Sequence, residues 1–228
     1  MRIKAVILDF DGVIYNSSKL DSASKIIFQI IRNYGRKIPR DVYKKLKNNW
    51  GLNGPRFIEI CFGLDPKIAK EIYREWEWMN KKNPYPLVLG SKQVIKRLKL
   101  RQIKVLLLTN RRKENLTKLL NYFKLIALFD FIQAEDDWSF SKPDPHAFCL
   151  VLHQLAKSEI CPEECVYAGD TILDFECTMA RGLTSVSVLT GVFNESDFIK
   201  AGQKKENIIR SITDLPEWIE KYNQDFHA

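Results

Sequence analysis

Residues Ile3-Lys4-Ala5-Val6-Ile7-Leu8 form a nearly unbroken apolar run that ends in Asp9-Phe10-Asp11-Gly12. An apolar, β-favouring run without hydrophobic–polar alternation reads as a strand buried on both faces of a parallel sheet. Such sheets bind their ligands beyond the carboxyl ends of the strands, which is where Asp9 and Asp11 emerge. Side chains two apart on a straight strand share a face, but Gly12 allows a turn that re-aims them. Two carboxylates this close repel unless a cation or a shared proton intervenes. A hard, oxygen-seeking ion such as Mg²⁺ resolves that conflict.

The same pattern of an apolar run closed by a polar tip recurs along the chain. Lys104-Val105-Leu106-Leu107-Leu108 leads to Thr109-Asn110, and Cys165-Val166-Tyr167-Ala168 leads to Gly169-Asp170-Thr171, with Asp174 four residues beyond Asp170. Between them, Ser141-Lys142-Pro143-Asp144-Pro145 sets a lysine in a proline-braced loop. Each tip has an ordinary reading by itself: turn acids at 9 and 11, a helix N-cap at 109–110, a solvated lysine at 142, a strand-to-helix turn at 169–170. In this order they resemble the haloacid dehalogenase (HAD) superfamily. Its four motifs are an Asp-x-Asp, a Thr or Ser at a strand end, a Lys, and Gly-Asp-x-x-x-Asp.

The resemblance covers nearly the whole chain and implies an α/β fold: a Rossmann-like, doubly wound parallel sheet carrying an inserted, small all-α cap. It also implies roles. Asp9 becomes the nucleophile that forms an aspartyl-phosphate, and Asp11 the general acid and then base. Mg²⁺ is expected on Asp9, the Asp11 backbone carbonyl and Asp170, with Asp174 a ligand or the holder of a metal-bound water. Thr109, backbone N–H groups near Asn110, and Lys142 are expected to hold the phosphoryl oxygens. Members that cleave carbon–halogen bonds lack the second acid of the first motif, so Asp11 favours phosphoryl transfer. The last motif has the phosphatase form closest to the phosphoglycolate phosphatase group, not the Glu-Asp pair usual in sugar-phosphate mutases, the second reading. One departure stands out: Val13-Ile14-Tyr15-Asn16-Ser17 has Asn16 where close relatives more often carry an acid, which leaves the cap hinge open.

Residues 15–83 read differently from the rest. They lack strand character and show helical spacing at Ile26, Ile27, Ile30, Ile31 and Tyr34, and again at Ile68, Ile72, Trp76 and Met79. Pro39 and Pro55 read as helix starts. This segment is the expected cap of about four helices, with residues 1–14 and 84–228 as the catalytic core. It carries fifteen Lys and Arg against seven Asp and Glu, so the whole net charge of +8 lies here. Trp50-Gly51-Leu52-Asn53-Gly54-Pro55-Arg56 reads as an interhelical loop, and Arg56 is a candidate for a distal carboxylate or second phosphate, or else a solvated arginine. The cap aromatics Trp50, Tyr73, Trp76 and Trp78 read as packing.

The remaining features narrow the class. In 228 residues with 45% hydrophobic content there is room for one good-sized core and a module. No apolar stretch approaches the ~20 residues of a membrane span, and the first strand begins too early for a secretory signal. The five cysteines are scattered, without metal-binding spacing, which fits a reducing, cytoplasmic setting. A basic cap also raises nucleic-acid binding, but no nucleic-acid motif accompanies it. The expected activity is therefore Mg²⁺-dependent hydrolysis of a small phosphomonoester.

Overall fold

The computed structural model describes residues 2–17 and 20–225. Six parallel strands form one sheet: β1 (Ala5–Leu8), β2 (Lys104–Leu108), β3 (Phe131–Gln133), β4 (Cys165–Gly169), β5 (Thr184–Val188) and β6 (Ile208–Ile209). Their order across the sheet is β3-β2-β1-β4-β5-β6, so β1 lies centrally, paired with β2 on one side and β4 on the other. The chain order reverses on either side of β1, which makes the carboxyl end of that strand the natural crevice of the fold.

Ten helices accompany the strands among the described residues: α1 (Leu20–Asn33), α2 (Val42–Asn48), α3 (Gly54–Phe62), α4 (Pro66–Lys82), α5 (Ser91–Leu100), α6 (Lys113–Tyr122), α7 (Cys149–Ala156), α8 (Ile172–Ala180), α9 (Glu195–Lys200) and α10 (Leu215–Asp225). The period-two alternation of β1 explains its unbroken hydrophobicity. Val6 and Leu8 pack with Val94 and Leu98 of α5, Leu116 and Leu120 of α6, and Trp218 and Ile219 of α10. Ala5 and Ile7 point the other way, to Phe148, to Val151 and Leu155 of α7, and to Cys177 of α8. Both faces are covered, so the sheet is the middle of three layers.

Helices α1–α4 have a hydrophobic cluster of their own, built from Ile27, Ile30 and Ile31, Val42 and Leu46, Phe57, Ile58 and Phe62, and Ala69, Ile72 and Tyr73. The spacing foreseen for α1 holds at Ile27, Ile30 and Ile31, whereas Tyr34 lies past the helix end and is exposed. Pro55 occupies the first turn of α3, where its missing N–H has no intrahelical partner to lose; Asn53 caps that helix by accepting from the Arg56 N–H at 3.1 Å. All five cysteines are free. Among the described residues no helix is long and apolar enough to cross a membrane.

Candidate active site

The polar tips of the sequence converge at one end of the sheet. Asp9 leaves β1, Thr109 leaves β2, Lys142 lies in the connection from β3 to α7, and Asp170 leaves β4. All four are buried. Past Asp9 the chain folds into a tight turn in which the Ile14 and Tyr15 N–H groups both donate to the Phe10 carbonyl, with Gly12 at φ +70°. That left-handed conformation suits glycine, and it turns Asp11 away from the line of the strand.

Asp9, Asp170 and Asp174 bring one carboxylate oxygen each to within 4.8 Å of one another. Lys142 answers two of them: Nζ lies 2.6 Å from Asp174 Oδ1 and 3.1 Å from Asp9 Oδ2, and it donates to Tyr167 Oη at 2.6 Å. Tyr167 passes its own proton to Asp174 Oδ1 at 2.8 Å. The other Asp174 oxygen accepts from Thr171 Oγ1 at 2.6 Å and from the Thr171 N–H at 3.2 Å, while the Asp174 N–H donates back to Thr171 Oγ1 at 3.0 Å. This reciprocal cap starts α8, and together with the Lys142 and Tyr167 bonds to Oδ1 it leaves both Asp174 oxygens occupied.

The electrostatics follow from these distances. Burial opposes the Asp174 charge, but Lys142 and the hydrogen bonds from Thr171 and Tyr167 outweigh it and hold Asp174 below the usual carboxylate range. Burial pushes Asp9 up; the longer contact with Lys142 offsets this only in part, and Asp174 and Asp11 add to the rise. Lys142 itself, although burial disfavours its charge, is held above the ordinary lysine range by Asp174 and Asp9. Of the two acids that share Lys142, Asp9 is the less compensated one, and Asp170 adds a third buried carboxylate beside them. A hard-oxygen donor set with excess negative charge fits a divalent cation such as Mg²⁺.

Asp11 stands apart from that cluster. Its carboxylate takes a fork from Arg111, Nε to Oδ2 at 2.7 Å and Nη2 to Oδ1 at 2.7 Å, and accepts a further hydrogen bond from Ser17 Oγ. Arg111 is buried over the rings of Phe10 and Tyr15, and its Nη1 reaches Asn115 Oδ1 at 3.3 Å. Asn115 in turn donates to Glu77 of α4 at 3.1 Å. Burial disfavours the guanidinium charge, yet Asp11 raises its pKa above the normal arginine value.

Thr109 Oγ1 accepts the Arg111 N–H at 3.2 Å. Helix α6 begins only at Lys113, so Thr109 does not cap it. The Asn110 side chain is a structural clasp: Nδ2 donates to the Lys142 carbonyl at 2.7 Å and to the Gly51 carbonyl at 2.9 Å, and Oδ1 accepts the Lys142 N–H at 3.0 Å. Through Gly51 the loop between α2 and α3 is seated on the sheet end. Arg56 does not join the site. It pairs with Glu59 one turn along α3, its side chain 57% exposed, while Trp50, Gly51, Leu52 and Gly54 of the same loop face the cleft. The sequence reading missed Arg111, Ser17, Tyr167 and Thr171. Arg111 directly follows Thr109-Asn110, and Tyr167 is a lone hydroxyl inside an otherwise apolar strand; both were visible as residues but not as partners.

Residues 6–188 match the family of haloacid dehalogenase-like hydrolases. The chain belongs to this family. A pyrophosphatase PpaX of Halalkalibacterium halodurans is 26% identical over 94% of this chain and 96% of its own. A phosphorylated carbohydrates phosphatase of Thermotoga maritima is 23% identical, covering 93% of this chain and 100% of its own. Among solved structures, a hydrolase from Pseudomonas syringae superposes with a TM-score of 0.78 at 18% identity, over 96% of this chain and 98% of that one. The matched residues include strands β2 to β5 and nearly all of β1.

Proposed function

We propose that the protein is a Mg²⁺-dependent phosphomonoester hydrolase that works through an aspartyl-phosphate on Asp9. The observation that carries this reading is the convergence of Asp9, Asp170, Asp174 and Lys142 on one buried point at the carboxyl ends of β1 and β4. The phosphatase names of the curated relatives agree with it. Asp9 and Asp170 would hold the cation, with Asp174 behind them anchoring Lys142. When bound, the cation would offset the repulsion between the Asp9 carboxylate and the phosphate oxygens.

The residues divide the remaining work. An Asp9 oxygen attacks phosphorus, and the bond from phosphorus to the ester oxygen breaks. Asp11 protonates the leaving oxygen, then takes a proton from the water that attacks the phosphoryl group, so that Asp9 and inorganic phosphate are released and Asp11 is again protonated. Thr109 and Lys142 stand where the phosphoryl oxygens gain charge. In the present arrangement Asp11 is held as a carboxylate by Arg111 and Ser17, so before the first turnover it must leave those partners and take up a proton from solvent, which it then gives to the leaving oxygen. We further read residues 15–83 as a cap over this site. Its own hydrophobic cluster supports that division, as does the seating of Gly51 on Asn110.

Release of inorganic phosphate from p-nitrophenyl phosphate tests the reading. Turnover should require Mg²⁺, cease in EDTA, and vanish in Asp9→Asn, a nearly isosteric change. Turnover that persists at full rate in Asp9→Asn would remove Asp9 as nucleophile and the reading with it.

A further inference from the structure

The cleft above Asp9 encloses about 800 Å³ of space, part of it open to solvent, and its two halves have opposite chemistry. The floor is polar and comes from the sheet ends. The roof comes from α1, α3, α4 and the loop before α3, and its large side chains are Ile27, Trp50, Leu52, Phe57, Ile58 and Trp76. Among the described residues, no charged side chain from 15–83 lines the cleft, although that segment carries fifteen Lys and Arg.

The apolar roof is held firmly. Trp50 meets Phe57 edge to face at 5.5 Å between ring centroids, and Trp76 stacks on Tyr73 at 5.7 Å. The Tyr73 ring lies so close to Gly54 that a Cβ there would stand 1.8 Å from it, so glycine is required for the ring to reach the cleft. The Gly51 carbonyl is tied to Asn110. Among the described residues, no cation under the roof is placed for a second anionic group. Arg56 turns to Glu59 outside the cleft, Lys142 is shared by Asp9 and Asp174, and Arg111, on the sheet-end floor and not under the roof, is forked onto Asp11 until Asp11 turns to the leaving oxygen. Glu77, buried beside Asn115 next to Trp76 in the chain, adds a negative charge behind the roof. An anionic tail placed under the roof would lose its water with no cation beside it among the described residues, whereas a hydrocarbon or ring would bury apolar surface against the tryptophans.

We propose that the preferred substrate is a monophosphate ester of an uncharged, apolar or ring-bearing alcohol whose organic part packs under Trp50 and Trp76, and that a second anionic group is selected against. This deepens the hydrolase reading and rests on it. The relatives named for pyrophosphate and for phosphorylated carbohydrates differ from it in substrate class. It also weighs against a sugar-phosphate mutase, since moving a phosphoryl group between two positions requires a site for a second phosphate.

The test compares benzyl phosphate with phosphoglycolate, two primary alkyl esters of similar leaving-group acidity whose tails are an uncharged ring and a carboxylate. The expected kcat/KM is at least about tenfold higher for benzyl phosphate, in the range that one apolar contact confers. Trp76→Ala should erase most of that advantage with little effect on phosphoglycolate. Leu52→Lys, at a half-buried position on the roof loop, should raise kcat/KM for phosphoglycolate and lower it for benzyl phosphate, and it tests the same point if Trp76→Ala folds poorly. Binding to Asp9→Asn, read by tryptophan fluorescence, makes the comparison without turnover. Equal or better use of phosphoglycolate, or its equal or tighter binding to Asp9→Asn, overturns the proposal while leaving the hydrolase reading intact. Tighter binding of benzyl phosphate without turnover of any ester by the native protein would refute the hydrolase reading alone.

Discussion

Replacing Lys142 by methionine asks whether this one ammonium allows Asp9 and Asp174 to coexist. Methionine keeps an unbranched apolar stem of similar reach but removes the charge and three donors. Among the described residues Lys142 is the cation paired with either acid, and the two carboxylate side chains are only 9% and 5% exposed. Removing one partner of a buried ion pair costs about 3–5 kcal/mol, mostly from the charge left behind. The hydrogen bonds to Asp174, Asp9 and Tyr167 fall inside that figure and do not add to it. Because the two acids relieve themselves by sharing a proton, the lower end applies, about 3 kcal/mol at pH 7.5. The sign of the pH dependence follows. In the native protein the folded-state pKa of Asp174 is depressed, so its contribution is present above the unfolded carboxylate value of about 4 and is lost only as pH falls through the still lower folded value. In Lys142→Met the folded state holds a proton that the unfolded chain has released at pH 5. Asp9 of the native protein, raised to about 7 by burial, also takes up a proton over this window, so both proteins gain stability between pH 7.5 and pH 5 and the deficit should change little between them. Urea unfolding followed by far-UV circular dichroism in EDTA measures this, since a cation bound to the folded state would mask it. A deficit below about 1 kcal/mol at pH 7.5 would refute the argument.

Other perturbations separate the remaining parts of the site. Tyr167→Phe keeps the ring against Phe148 but removes the hydroxyl between Lys142 and Asp174; a loss of about 1–3 kcal/mol is expected in the same urea titration, and an unchanged midpoint would show that the hydroxyl does not hold the pair. Asp11→Asn should slow benzyl phosphate by about 10²–10⁴-fold and p-nitrophenyl phosphate far less, because only the poor leaving group needs the proton; equal losses would remove Asp11 from the acid/base role. Arg56→Ala should leave KM for phosphoglycolate unchanged and stability within about 1 kcal/mol, as befits an exposed pair, and a rise in KM would return Arg56 to the site. The basic outer surface of residues 15–83 should make kcat/KM for an anionic ester fall with added salt while kcat stays level; a flat salt profile would limit that charge to solubility.

What the sequence made legible is tied to local pattern. Asp9, Thr109 and Asp170 each close an apolar run, so the strand that positions them also announces them, and the alternation of burial along β1 was implicit in its lack of polar residues. Lys142 was readable from its order among the motifs. The partner of Asp11 was not, because Arg111 lies 100 residues away and reads locally as an ordinary charge ahead of a helix. Tyr167 was hidden for the opposite reason: a tyrosine suits a buried strand by its ring alone, and only the third dimension shows the hydroxyl between two charges. Arg56 was left between a substrate anion and solvent because spacing fixes which face of a helix a residue takes but not which face the neighbouring helices cover. The aromatics of 15–83 do pack, as their periodicity implied; that Trp50 and Trp76 also roof the cleft depends on Gly51 and Gly54 bringing the loop down onto Asn110 and Tyr73.

The way cations are distributed gives the acids different duties. Asp9 and Asp11 are two residues apart, and left together each would oppose the other's ionisation. The turn at Gly12 parts them, and each meets a cation from a different connection, Lys142 after β3 and Arg111 after β2. Asp174 is saturated by four donors and Asp11 by a fork and a hydroxyl, so neither has charge to spare for an incoming group. Asp9 receives only the longest of the lysine contacts and one backbone N–H. Its excess charge is thus left, with that of Asp170, for a cation to answer, which is the requirement for a carboxylate that must approach a phosphate. Arg111 extends the scheme outward, since its link through Asn115 to Glu77 ties the clamp on Asp11 to α4, the helix that also carries Trp76 and Tyr73. Under the proposed chemistry, an organic group that shifts α4 as it settles against Trp76 also acts on the clamp that Asp11 must leave before it can give up a proton.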